Sequence, residues 1–367
     1  MAGHLVLAAV ADSRRNNFRL IRHIAATAVI FVHSFMVLTP AASPVGWAWK
    51  ISEPGAGIAV DVFFVASGFL VARSLLRRGD VLDYVLSRSL RIYPALVVVV
   101  WLTAFVLGPA VTSLPLAQYF ATKSVYGYVF YDSLMWFPNR FRYQLPGVFT
   151  GLGSMAGDTV NASLWTLPWE VCMYASLLVL YKLRALRLPI QAAFLLSLGL
   201  LYAAEAAEWI SLGVWASLAV RFAVFFYTGV ALYSFRQWVP LTHALMIAAT
   251  TVFAATWWLF GAAVLLPFWL GYAVLYFAYH PALVIDRWCE GPDFSYGLYI
   301  YAYPIQQTLV WAFQPTSLPL FIAVVLALTT LVAMASWYLI EAPALALKAR
   351  IRSTRREGSV AAPSSSS

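Results

Sequence analysis

An all-α, polytopic membrane bundle of about ten transmembrane helices is the fold this chain predicts. Three observations carry that reading. Hydrophobic residues occupy 62% of the 367 positions and charged residues only 11%, against about 25% charged in an average globular domain. The apolar residues come in runs long enough to cross a bilayer. The basic residues collect between alternate runs. Crossing takes roughly 20 mostly apolar residues, and ten runs qualify: 21–39, 57–76, 92–110, 164–182, 188–205, 212–233, 243–260, 262–279, 294–313 and 317–340. The pair 243–260 and 262–279 is the tightest assignment, because one long tilted element could cover both. Two spans are retained, since removing one would carry the basic C-terminus to the opposite side.

Loop charge sets the orientation. Arg14, Arg15 and Arg19 precede the first run, and Arg73, Arg77, Arg78, Arg88 and Arg91 flank the connection between the second and third. Lys182, Arg184 and Arg187 separate the fourth and fifth, Arg236 follows the sixth, and Lys348, Arg350, Arg352, Arg355 and Arg356 follow the last. The intervening loops are poorer in Lys and Arg. By the positive-inside rule both termini are cytoplasmic. Residues 1–20 then form a cytoplasmic N-terminal segment, 21–343 the transmembrane domain, and 344–367 a basic, Ser-rich, disordered cytoplasmic tail. Residues 111–163 form a long extracytoplasmic loop, too long for a simple turn and a candidate to carry function or cover a cavity.

Composition also excludes. The net charge of +9 is accounted for by cytoplasmic loops and needs no nucleic acid. Cys172 and Cys289 are the only cysteines, which gives no disulfide framework and no zinc site. No metal, nucleotide-binding glycine loop or internal repeat is expected.

Ionisable groups inside a hydrocarbon core are costly and mark function by default. His33 lies inside the first run, with Arg22 eleven residues earlier, nearly on the same helical face and roughly 16 Å away along the axis. Asp61 in the second run and Glu170 in the fourth fall at a depth similar to that of His33, somewhat outward of the midplane. A carboxylate can fix an imidazole tautomer and stabilise its protonated form, which makes a better general base. The plainer alternatives are that Asp61 caps the start of its helix and that Glu170 pairs with Arg221 in the sixth run. Arg88 and Arg91, at i and i+3, share a helix face. With Arg22 they suit a phosphate-rich donor, although anionic lipid headgroups compete for the same role. Ser67 has no evident His–Asp partner and is not assigned as a nucleophile.

Six segments, in order along most of the chain, resemble signatures of the acyltransferase 3 family of integral membrane acyltransferases. They are Arg22 through His33 (Arg-x10-His), Ala59-Val-Asp61 through Ser67-Gly68, Arg88-Ser-Leu-Arg91-Ile-Tyr-Pro94, Leu164-Trp165 through Glu170, Ser295-Tyr296-Gly-Leu-Tyr299, and Glu341-Ala-Pro343. The resemblance implies transfer of an acyl group, usually acetyl, from cytoplasmic acyl-CoA to a hydroxyl of an envelope or exported carbohydrate at a bacterial inner membrane. It assigns His33 as the catalytic residue and places Arg22, Arg88 and Arg91 in the donor region; Asp61 and Glu170 are candidates to orient His33 or the acceptor. Two departures stand out. Family members often carry a histidine where this chain reads Tyr301-Ala-Tyr303-Pro304, and Ala59 replaces a glycine. No fused hydrolase-like segment follows Glu341, so the chain is expected to act alone or with a separate partner. The competing function is a proton-coupled transporter or flippase for a sugar or lipid-linked sugar, using the same buried groups as a relay. A weaker third reading is a non-catalytic scaffold for envelope assembly.

Overall fold

A computed structural model describes residues 5–39, 47–135, 143–260, 263–348 and 351, with backbone alone for 47–56. The secondary structure is helical, and the described residues hold one isolated bridge, Val6 to Pro240, and no strand. The expected runs become α1 (Phe18–Leu38), α2 (Trp47–Arg78) and α3 (Val81–Leu102). Two loop helices follow, α4 (Leu116–Ala121) and α5 (Lys123–Ser133). The remainder are α6 (Leu167–Lys182), α7 (Leu188–Ala206), α8 (Val214–Ser234), α9 (His243–Phe260), α10 (Leu266–Tyr279), α11 (Ser295–Phe313) and α12 (Leu318–Ser336).

Among the described residues, eight helical segments are long and apolar enough to cross a membrane. The remaining two expected spans form as helices but fall short. At 14 residues, α10 is too short. The 19-residue α11 is long enough, but Tyr296, Tyr299, Tyr301, Tyr303, Gln306 and Gln307 dilute its apolar character. All six are buried, so α11 is packed against protein, where partners offset the cost of its polar groups. The ambiguous pair resolves into two helices, α9 and α10, joined by the stacking of Phe253 on Trp269 at 4.7 Å.

The chain divides into two compact units. The first comprises 1–32, 44–79 and 165–295; the second comprises 33–43, 80–164 and 296–367. The division cuts α1 between Val32 and His33.

In the first unit, α8 lies along α2 at very close range. A Cβ placed on Gly68 would run into the carbonyl of Phe226, and one on Gly229 into the carbonyl of Val65. Only glycine lets the two backbones approach so closely. One end of this unit collects cations. Arg73 donates to the carbonyl of Ala11 at 2.9 Å and to the Tyr279 hydroxyl at 3.1 Å. Arg77 pairs with Asp12 at 3.2 Å, and Arg15 pairs with Asp286 at 2.6 Å. The hydrogen bond from Arg15 holds the exposed Asp286 carboxyl below the usual carboxylate range. Residues 5–7 pair with 239–241 at the same end, through Leu7 N to Val239 O and Leu241 N to Leu5 O.

In the second unit, Asp80 caps α3 by accepting from the amide of Asp83. The helix continues through a π-turn, Thr103–Leu107, into Gly108–Val111. A π-turn disturbs the regular backbone ladder, and the Tyr119 hydroxyl donates to the carbonyl of Ala104 there at 2.7 Å. Burial pushes the Tyr119 phenol up to about 12, which keeps it a donor. That bond anchors the long 111–163 loop, whose α5 packs against α3. The last helix runs on through a second π-turn, Trp337–Glu341, to Lys348, which pairs with Asp83 at 3.1 Å.

Replacing Gly68 with leucine is expected to cost at least about 1–3 kcal/mol through overpacking. Gly127→Ala, whose new Cβ meets only the Tyr131 ring at 3.8 Å, is expected to stabilise α5 by up to ~1 kcal/mol. Thermal unfolding of the detergent-solubilised protein, followed by tryptophan fluorescence, measures both.

Candidate active site

The two carboxylates that share an expected depth have separate partners. Asp61 is fully buried and takes a bidentate pair from Arg221, Nε to Oδ1 at 3.1 Å and Nη2 to Oδ2 at 2.9 Å. Because α2 begins at Trp47, Asp61 sits well inside the helix and does not cap it. Gly57 leaves room for the guanidinium, since a Cβ there would meet Arg221 Nη2 at 2.5 Å.

Arg221 is therefore not the partner of Glu170. Glu170 Oε1 instead accepts from Ser67 at 3.1 Å and, closely, from the Tyr174 hydroxyl. Tyr174 is the residue one turn on from Glu170 in α6, so the pair follows from i, i+4 spacing. The Ser67 and Tyr174 oxygens are 3.4 Å apart. Ser67 thus has a carboxylate partner that spacing alone did not reveal.

Arg22, on α1, pairs with Asp293 at 2.6 Å. The surrounding 280–295 segment grips the start of α1. Asn17 donates to the carbonyls of Phe277 and Leu283 and accepts from the amide of Ile285. The Arg19 guanidinium lies 5.3 Å over the Trp288 ring, and Gly291, with φ of +118°, leaves it space.

In the second unit three of the six signature segments converge. Arg91 pairs with the buried Glu341 at 3.2 Å and lies over the rings of Tyr296 and Trp337 at 5.8 and 5.6 Å. The Tyr296 hydroxyl donates to the carbonyl of Ile92, and Ser336 donates to the second oxygen of Glu341 at 3.1 Å. Arg88 is half-buried one turn earlier on α3.

His33 belongs to this unit and is 9% exposed. The Tyr303 ring meets it edge-on at 5.0 Å, at an interplanar angle of 85°. A segment of the long loop, 154–161, runs across the same place as a strap. The amides of Met155 and Ala156 donate to the carbonyls of Thr39 and Met36 at 2.8 and 3.2 Å, satisfying the otherwise unpaired end of α1. Gln307 Nε2 donates to the carbonyls of Gly157 and Thr159 at 3.1 and 2.8 Å. Asn161 Nδ2 donates to the carbonyl of Ile300 at 2.9 Å. Ile300, Tyr303 and Gln307 form one stripe on α11 (i, i+3, i+7), so the strap runs antiparallel to that helix beside His33. Met36, which holds Ala156, is one turn from His33.

A search for ionisable groups misses Tyr303, Gln307 and Asn161. The adjacent glutamines 306 and 307, expensive within an apolar run, were the available signal. Among the described residues no group of three or more His, Cys, Asp or Glu is arranged to hold a metal ion.

The acyltransferase 3 family, described as an acyltransferase domain, matches residues 15–338. The chain belongs to this family. That makes it an integral membrane acyltransferase, in keeping with its apolar helices. It is similar to an "O-acetyl transferase" of Shigella phage Sf6, 28% identical, over 89% of this chain and 95% of that protein. It is also similar to "Nodulation protein 10" of Rhizobium leguminosarum bv. viciae, 27% identical, over 94% of this chain and 97% of that protein. No solved structure matches.

Breaking the Asp61–Arg221 pair leaves a charge stranded. Arg221→Met is expected to cost about 3–5 kcal/mol, and the double variant Asp61→Leu/Arg221→Met to recover more than half of it. A double-mutant cycle on thermal stability in detergent measures this.

Proposed function

We propose that this acyltransferase moves an acetyl group from cytoplasmic acyl-CoA to a hydroxyl of an envelope or exported carbohydrate at a bacterial inner membrane, with both termini cytoplasmic. The observation that carries the reading is His33: a buried imidazole in a membrane family of acyltransferases, with one ring nitrogen unpartnered among the described residues. The name of the phage relative, an O-acetyl transferase, supports acetyl as the group and oxygen as its destination.

In the proposed step His33 takes the proton of the acceptor hydroxyl as that oxygen attacks the thioester carbonyl. The C–O bond forms and the C–S bond breaks. The imidazolium then returns its proton to the departing thiolate, which leaves as CoA. Arg22, Arg88 and Arg91 are the proposed ligands of the donor phosphates. A guanidinium carries five N–H donors, and the pair of Arg22 with Asp293 uses one of them. Glu170, which accepts from two hydroxyls, and Asp61, acting through Arg221, are proposed as groups that orient His33 or the acceptor.

Mass spectrometry of envelope glycans from cells with and without the intact gene tests the reaction. The expected result is an acetyl mass increment that is present only with the gene and is lost under mild base. His33→Ala is expected to abolish the increment at unchanged protein level. Retention of the normal acylation rate by that variant would overturn the assignment. Arg88→Ala is expected to raise the KM for acetyl-CoA at least about tenfold, equivalent to ~1.4 kcal/mol of donor binding.

A further inference from the structure

The hairpin between α6 and α7 lies wholly within the first unit and carries charge that the protein does not use. Between Glu170 and Glu205 the chain holds three cations, Lys182, Arg184 and Arg187, and no acid. All three are exposed, and none is ion-paired among the described residues. Leu183, between the first two, is 70% exposed. An exposed leucine flanked by cations suits a segment lying at a membrane surface, where long basic side chains reach the headgroups. The turn itself is tight. The amide of Ala185 donates to the carbonyl of Leu180 at 2.9 Å, and that of Arg184 to the carbonyl of Tyr181 at 3.0 Å. This closure needs a left-handed residue, and Arg184 supplies it with φ of +56°. Glycine takes that conformation freely, whereas an arginine is strained there. A cation thus occupies a position where glycine would be more stable.

A cavity adjoins this turn. It holds about 390 Å³ of empty space, its mouth included. Leu180, Ala185 and Leu186 of the hairpin line it, together with Phe194 of α7 and Ala231 of α8. Its two polar lining residues are braced within the protein: Gln191 Nε2 donates to the carbonyl of Leu186 at 2.7 Å, and the Tyr227 hydroxyl lies 2.8 Å from that of Ser176. The hollow offers its occupant hydrocarbon, and the turn beside it offers positive charge. A free phosphate has no use for the hollow, and a neutral lipid has none for the cations. Basic pockets between membrane helices suit anionic headgroups. We infer that the α6–α7 hairpin and this cavity bind an anionic phospholipid, its phosphate at Lys182, Arg184 and Arg187 and part of one acyl chain in the cavity. The first turn of α7 has no side-chain cap, and its amides favour an anion at the same place. The bound lipid ties α6, α7 and α8 together at this end of the unit. The site is independent of the acyl-transfer reaction.

Thermal unfolding of the full chain in a neutral detergent, followed by tryptophan fluorescence, tests this. Palmitoyl-oleoyl phosphatidylglycerol is titrated in, with phosphatidylcholine of the same chains and inorganic phosphate as separate arms. Phosphatidylglycerol is expected to raise the melting temperature saturably, and the other two to leave it in place. In Lys182→Gln/Arg184→Gly/Arg187→Gln the phosphatidylglycerol concentration giving half the effect is expected to rise at least about tenfold. Without lipid the same variant is expected to melt no lower than the wild type, because glycine relieves the turn. Ala231→Leu, which fills the cavity and keeps every cation, is expected to weaken phosphatidylglycerol at least about threefold. A charge-matched variant of the tail, Arg352→Gln/Arg355→Gln/Arg356→Gln, is expected to keep the wild-type half-saturation. Unchanged half-saturation in the triple hairpin variant or in Ala231→Leu, an equal shift in the tail variant, or an equal effect of phosphatidylcholine overturns the site. Stabilisation by inorganic phosphate alone, or displacement of the lipid by acetyl-CoA, gives the cations to a soluble anion and overturns it too. Should the triple variant not accumulate, Arg184→Gly alone is expected to shift half-saturation at least about threefold, and no shift overturns the site.

Discussion

Inside a bilayer there is no water to satisfy a buried polar group, so every charge and hydrogen-bonding atom in the interior must find its partner in the protein. The rest of this structure follows from that constraint. Asp61 is fully buried, and it is there because Arg221 reaches it with two nitrogens across the α2–α8 contact. That contact is close because Gly68 and Gly229 let backbone meet backbone. Glu341 is tolerated near the end of the last helix because Arg91 and Ser336 each take one of its oxygens. The polar groups are thus embedded in helix packing, and packing and electrostatics cannot be altered independently.

The same constraint separates structural polarity from reactive polarity. Asp61 is saturated by a bidentate guanidinium. A group whose interactions are all made inside the protein is suited to holding geometry. His33 differs: its flat ring is held by a tyrosine edge while one nitrogen has no partner among the described residues. Glu170 is intermediate, a carboxylate held by two hydroxyls and, among the described residues, by no cation.

The strap shows how a loop becomes part of a membrane site. Two of its backbone amides cap α1 and two of its carbonyls are gripped by Gln307, so an irregular segment gains hydrogen bonds where a free loop would be costly. With those main-chain needs met, the strap can hold side-chain hydroxyls at a buried position. The long connection between the third and fourth spans thereby contributes to the surroundings of His33 rather than simply linking helices.

Much of this was legible in the sequence, because hydropathy and charge segregation are local properties. Ten apolar runs gave ten helices, and the Arg22-to-His33 spacing survives as two positions on one helix. What local pattern could not supply was pairing. Asp61 and Glu170 fall at similar depth, and the sequence offers Arg221 as a partner for Glu170; only the packing of α2 on α8 gives it to Asp61 and leaves Glu170 to Ser67 and Tyr174. Arg91 and Glu341 are 250 residues apart, and nothing in either segment names the other. Nothing in the apolar run of α11 tells what Gln307 does; the fold sets two loop carbonyls, of Gly157 and Thr159, against it. Sequence alone marks the apolar runs that become helices, since transfer free energy sums along the chain; among the described residues eight of them are long and apolar enough to cross a membrane. Which buried polar groups pair with one another emerges only in the tertiary structure, since that depends on contacts between segments distant in sequence.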